Sequence, residues 1–184
     1  MANRDALREL QSRLAQRLQA THTESRRATW LAVEAAGAGW LFPLVGAGEI
    51  FAVPALLPMP HTRPWFAGVA NLRGGLHGVV DLAAFLGLRA AALSEGVREQ
   101  ARLVSLNPAL GSHCALLVDR LAGLRGADQL IAEAPPLEPR PAFAGPRWHD
   151  TDGRLWQEID LAALAANEHF LAIADARTQP MRMT

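Results

Sequence analysis

Leucines at positions 7, 10, 14 and 18 recur at spacings of three and four, so they share one face of a predicted helix over residues 3–20. Arg4, Arg8, Arg13 and Arg17 occupy the rest of it, and Asp5 and Glu9 stand near its start, where the helix dipole favours acids. A basic amphipathic helix of this kind serves a membrane surface or a partner's groove, or docks its leucines on the body of the protein. The polar run THTESRR, residues 21–27, reads as a linker.

After residue 28 the pattern changes to short apolar runs broken by Gly and Pro. TWLAVEAAGAGWLFPL predicts two strands about Gly37-Ala38-Gly39, and three prolines forbid a long helix in GEIFAVPALLPMP. FAGVANLRGGLHGVVDL, residues 66–82, predicts a hairpin whose two apolar arms close on Asn71-Leu72-Arg73-Gly74-Gly75. DLAAFLGL (81–88) reads as a helical turn or two, and GLRAAALSEGVREQ as a surface connection. ARLVSLN (101–107) and SHCALLVDRLAGL (112–124) predict a further strand pair around Asn107-Pro108. Residues 133–147 hold five prolines and run extended or as loop. RWHDTDGRLWQEIDL predicts a hairpin turning at Asp152-Gly153, and DLAALAANEHFLAIA a short closing helix. Many short strands with few helices predict a mainly β protein of small barrels or a sandwich.

Composition narrows the function classes. The 184 residues suffice for one domain or two small interlocked ones. Eighteen basic residues, all arginine, balance eighteen acidic ones, so net charge points to neither nucleic acid nor an anionic membrane. Arginines are interspersed with carboxylates and there is no tyrosine, unlike the basic, aromatic strip of a nucleic-acid binder. The single cysteine, Cys114, excludes an internal disulfide and reads as a small core residue. No apolar leader or membrane-spanning stretch is visible, which predicts a cytoplasmic protein with no direct membrane insertion.

The motifs that carry chemistry fail one by one. Gly37-Ala38-Gly39 and Gly46-Ala47-Gly48 begin a dinucleotide fingerprint, but Phe42 and Phe51 stand where the third glycine belongs. The six histidines show no i, i+4 pair, and no second cysteine is there to share zinc. No G-x-S-x-G elbow exists, and Ser112, His113 and Cys114 alternate along a strand and cannot act together. His149, Asp150 and Asp152 could serve a small β-barrel enzyme if they clustered in a pocket; a flat exposed turn would sink that reading. The expectation is no catalytic site, no metal and no cofactor.

Arg73 at the centre of the hairpin poses the remaining question. It is either exposed at the turn tip or partly buried and paired, and Glu49, a lone carboxylate in the apolar VGAGEIFAV, is the candidate partner. With Glu49-Ile50, the prolines from 58 to 64, Gly68-Val69-Ala70-Asn71-Leu72-Arg73-Gly74, Val79-Val80-Asp81-Leu82 and Phe85-Leu86-Gly87 in this order, residues 29–175 resemble the CheW family of chemotaxis scaffold proteins. The Arg-rich N-terminal extension and the closing DLAALAANEHFLAIA look most like the version of this scaffold that serves type IV pilus twitching motility. One departure is Gly78, where the family usually has proline; glycine keeps an amide there and loosens the strand.

The resemblance implies a CheW-like fold of two packed five-stranded SH3-like β-barrels with strands partly exchanged over 29–184, preceded by an amphipathic helix and linker over 1–28. It implies a non-catalytic adaptor joining the regulatory domain of a CheA-type histidine kinase to the cytoplasmic tip of a methyl-accepting chemoreceptor. The alternative is the same fold serving other partners. In the family pattern Glu49 and Arg73 pair across strands beside the receptor groove, with Ile50, Gly68, Val69, Asn71 and Gly74 around them. Core packing is the commoner role for Ile50 and Val69. Asp81 is placed to cap the helix that follows it.

Overall fold

The structure, a computed structural model, describes residues 28–90, 95–135 and 138–175. The helix expected over 3–20 lies outside the described residues, as does most of the linker of residues 1–28. Eleven strands form two sheets. β1 (Ala28–Ala35) and β2 (Ala38–Pro43) begin a six-stranded sheet; β3 (Ala47–Ala52), β4 (Phe66–Leu72), β5 (Gly75–Asp81), β6 (Arg102–Leu106) and β7 (Cys114–Val118) form a five-stranded one. β8 (Arg120–Gly126), β9 (Leu130–Ala132), β10 (Ala144–Asp150) and β11 (Leu155–Ile159) return to the first sheet. The strand orders are β8-β1-β2-β11-β10-β9 and β3-β6-β7-β5-β4. The first sheet thus has six strands rather than the expected five, because β9 pairs antiparallel with β10 through Leu130–Ala132.

Both β1 and β7 are buried on two faces, which explains their nearly unbroken apolar runs. Leu31, Val33 and Ala35 join Leu116, Val118, Val80 and Leu161 in the core between the sheets. The alternate residues Trp30 and Ala32 pack with Leu41 and Trp156 on the other side of the first sheet. Ala115 and Leu117 pack with Leu72, Val79 and Leu103 inside the five-stranded sheet.

Four expectations need correction. The β1–β2 turn is Ala36-Gly37, both with positive φ (51° and 77°), not Gly37-Ala38-Gly39. Gly39 lies within β2 because Trp156 crowds it: a Cβ there would meet Cε3 at 2.7 Å. The run 112–124 is two strands, divided at Asp119, where the chain leaves one sheet for the other. The surface connection before β6 contains a helix, α2 (Glu95–Gln100), after α1 (Leu82–Phe85). The closing helix is two short ones, α3 (Leu161–Ala165) and α4 (Glu168–Leu171), because Asn167 ends one and caps the next through the Phe170 N–H.

Candidate functional site

Leu72 pairs with Gly75, so the β4–β5 turn is Arg73-Gly74 alone. Both residues have positive φ, 50° and 87°, the signature of a type I′ turn, and Asn71 Oδ1 accepts from the Gly74 N–H at 2.8 Å. At Arg73 this left-handed backbone is held by a side chain that is neither Gly nor Asn. Its guanidinium lies 5.9 Å from the Phe51 ring centre, and Nη1 donates to Glu49 Oε2 at 2.6 Å.

Glu49 stands on β3 and Arg73 at the end of β4, the two edges of the five-stranded sheet. The ion pair therefore spans a gap that no backbone ladder closes among the described residues. The side chains are 54% and 75% exposed, so the pair contributes only about 0–1 kcal/mol. Exposed tip and paired arginine are thus not alternatives here; both hold.

Ser105 is the positioning residue that sequence reasoning missed. It is buried on β6, its Oγ accepts from the Glu49 N–H at 2.9 Å, and its hydroxyl donates to the Glu49 carbonyl at 3.2 Å. It fills the register shift between Ala47 and Ile50, and Gly48 leaves room for it, since a Cβ there would lie 2.5 Å from Oγ. A serine within an apolar strand (RLVSLN) was the available signal.

The other predicted residues surround the pair. Ile50 is 43% exposed, whereas Val69 is half-buried and exchanges two 2.8 Å backbone bonds with Leu57. Gly68 admits this close approach: its φ is 129°, and a Cβ would meet the Leu57 carbonyl oxygen at 2.4 Å. Leu76, exposed and opposite Asn71 in the hairpin register, adds an apolar side chain outside the predicted set. Gly78 uses the amide that a proline would lack, donating to the His113 carbonyl at 3.0 Å.

Asp81 caps α1 through the Ala84 N–H at 3.1 Å. It also accepts from Arg89, whose other terminal nitrogen reaches Asp119, each at 2.7 Å. A second buried acid, Glu34, is gripped by Arg120 through two hydrogen bonds and by Arg154 through one. Burial pulls the Glu34 carboxyl upward, but the hydrogen bonds and charges of Arg120 and Arg154 outweigh it and hold the group below its usual value.

The residues of the enzyme reading form a hairpin turn. Asp150 Oδ1 accepts from the N–H groups of Asp152 and Arg154, and Oδ2 from the Trp156 indole. Asp152 is exposed, and His149 faces Glu133 at 4.0 Å. Cys114 is buried, which pushes its thiol up to about 12 and keeps it from acting as a thiolate. Among the described residues, no group of His, Cys, Asp and Glu is placed to hold a metal, and no helix is long and apolar enough to cross a membrane.

Residues 29–169 match the pattern that defines the CheW-like domain. The chain is 31% identical over 142 residues to Protein PilI of Pseudomonas aeruginosa, covering 75% of each. Its fold is similar to that of the scaffolding protein TtCheW from Thermoanaerobacter tengcongensis, with a TM-score of 0.60 and 20% identity over 73% of this chain and 90% of that one.

Proposed function

The chain belongs to the CheW-like domain family, and from that premise we propose that it is a non-catalytic, cytoplasmic adaptor. It couples the cytoplasmic tip of a methyl-accepting chemoreceptor to the regulatory domain of a CheA-type histidine kinase. The likeness to Protein PilI favours a type IV pilus chemosensory system. The observation that carries the reading is the exposed Glu49–Arg73 pair across the two sheet edges. An ion pair that contributes little to the fold, on a turn held in a left-handed backbone, is better explained by recognition than by stability. Ile50 and Leu76 supply exposed apolar area, and Asn71 and Gly74 set the turn. Gly68 and Val69 hold the strand behind them.

Calorimetric titration of the protein with the regulatory domain of the CheA-type kinase from the same genome tests this. Saturable one-to-one binding is expected. A folded protein that binds no such kinase domain leaves the CheW-like fold serving a different partner.

A further inference from the structure

A cleft of about 560 Å³ opens at the end of the five-stranded sheet's core, remote from the Glu49–Arg73 pair. Trp65 and Ala67 line it at the start of β4, whereas Arg73 follows that strand's last residue, about 20 Å away at some 3.3 Å per residue. Its size falls within the roughly 300–1,000 Å³ usual for ligand sites. The walls are mostly apolar, with Val53, Leu56, Ala67, Ala84 and Leu117 among them.

Two polar atoms on its lining side chains lack partners. The Trp65 indole Nε1–H is buried without an acceptor, on a side chain only 6% exposed. The Nε–H of Arg89 is likewise buried and unpaired, although both terminal nitrogens of that guanidinium are engaged. Buried donors without acceptors are rare in folded proteins, because each loses its water without replacement. Both of these are donors, so what is missing is an acceptor.

Charge decides which acceptor. Arg89 is already matched by two carboxylates, Asp81 and Asp119, so an anion would gain little from it and would meet Asp81. A cation would meet Arg89 and Arg98, which also line the cleft. A neutral oxygen on an apolar body fits on every count. Main-chain carbonyls flanked by aliphatic side chains have that chemistry.

We propose that this cleft binds a short, uncharged apolar peptide segment, whose aliphatic side chains fill it and whose carbonyls accept from the Trp65 indole and Arg89 Nε–H groups. The site is separate from the Glu49–Arg73 surface, so it stands or falls independently of the adaptor reading.

Proton–nitrogen NMR of the full chain, with acetyl-Ala-Leu-Leu-Ala-amide as probe, tests the proposal. The protein has five tryptophans, and the indole signal missing from Trp65→Phe identifies Trp65. The expected result is a saturable downfield shift of that signal on adding the probe, as its N–H gains an acceptor. The charged acetyl-Ala-Glu-Glu-Ala-amide leaves the signal in place. Ala67→Phe, which fills the cleft, and Leu56→Asp, which puts a carboxylate in its wall, each abolish the shift, so the test survives if one of them fails to fold. Arg73→Glu keeps the shift intact. No saturable movement of the Trp65 signal, a shift unchanged in both cleft variants, or an equal response to the charged peptide overturns the proposal.

Discussion

Arg89 and Asp119 meet at 2.7 Å, and their contact ties the segment after α1 to the point where the chain crosses between sheets. Asp119 passes the connection on, since its second oxygen accepts from the Ala36 N–H of the β1–β2 turn at 2.7 Å. With Asp81 on the other side of Arg89, one cation organises the end of β5, the crossover and a turn of the opposite sheet.

Removing that cation leaves two largely buried carboxylates without a counter-charge. Arg89→Met is expected to lower stability by about 3 kcal/mol, the low end for breaking a buried pair because these side chains retain some exposure. Arg89→Lys, one ammonium in place of a two-ended fork, loses about 1–2 kcal/mol. Urea unfolding at neutral pH measures both, and equal losses for the two variants would show that charge alone matters.

Glu34 makes stability depend on acid. Its carboxyl is held below its unfolded value of about 4.5, since the hydrogen bonds and charges of Arg120 and Arg154 overcome the opposing effect of burial. A depressed carboxyl contributes stability that is full above the unfolded value and is lost as pH falls through the folded one. The parent should therefore weaken progressively below about pH 4.5, and Glu34→Gln should be about 1–2 kcal/mol less stable at neutral pH with a flatter acid limb. Asp150, lowered chiefly by the Trp156 indole hydrogen bond, adds to the same slope, so the double variant with Asp150→Asn should be flatter still. Unfolding midpoints between pH 7 and 3 report this, and parallel curves for parent and variants would refute it.

Gly68 is a backbone requirement rather than a contact. An alanine there would sit at a φ of 129° with its Cβ 2.4 Å from the Leu57 carbonyl oxygen, so the Leu57–Val69 bridge must open. Gly68→Ala is expected to lose at least about 2 kcal/mol, combining strain with two broken backbone bonds. Amide exchange at Leu57 and Val69 should quicken in the variant well before that of β6 and β7. Uniform quickening would point to global destabilisation instead.

What the sequence disclosed follows sequence distance. The Arg73-Gly74 and Asp152-Gly153 turns and the Asp81 cap are local, set by residues within a few positions of each other. Glu49 was findable as a lone acid in an apolar strand, and the family pattern supplied its partner. Ser105 and Glu34 were not read, because each is defined by contacts to residues far along the chain: Glu49 lies 56 positions from Ser105, and Arg154 lies 120 from Glu34. Arg89 looked like a surface residue because its two acids flank it from different strands. β9 escaped notice because three residues beside a proline-rich run carry no periodicity of their own.

The Arg73 backbone separates stability from recognition. Asn-Gly is the favoured pair for a type I′ turn, so Arg73→Asn relieves left-handed strain while losing an exposed ion pair of about 0–1 kcal/mol. The variant should be as stable as the parent or up to about 1 kcal/mol more so, and should bind the receptor tip more weakly. Thermal unfolding and titration with a receptor-tip fragment read the two effects. A variant that gains stability and keeps full affinity would remove Arg73 from the recognition surface.

Whether the pair acts as a unit is a question of coupling. If a partner reads the Glu49–Arg73 bridge as one shaped surface, Arg73→Glu should weaken binding at least tenfold, because two like charges then repel across the sheet edges. Glu49→Arg should do the same. Combined, the two changes restore a bridge of reversed polarity over the same gap, and affinity should recover in part rather than fall by the product of the single losses. Full recovery is not expected, because Phe51 would then face Glu in place of the guanidinium now 5.9 Å from its ring, and Ser105 would hold an arginine backbone instead of a glutamate one. Each variant must unfold at nearly the parent's midpoint for the cycle to count, which the high exposure of both side chains favours. Strict additivity of the two losses would mean that partners contact Glu49 and Arg73 separately, and that the bridge serves only to join the edges of the five-stranded sheet.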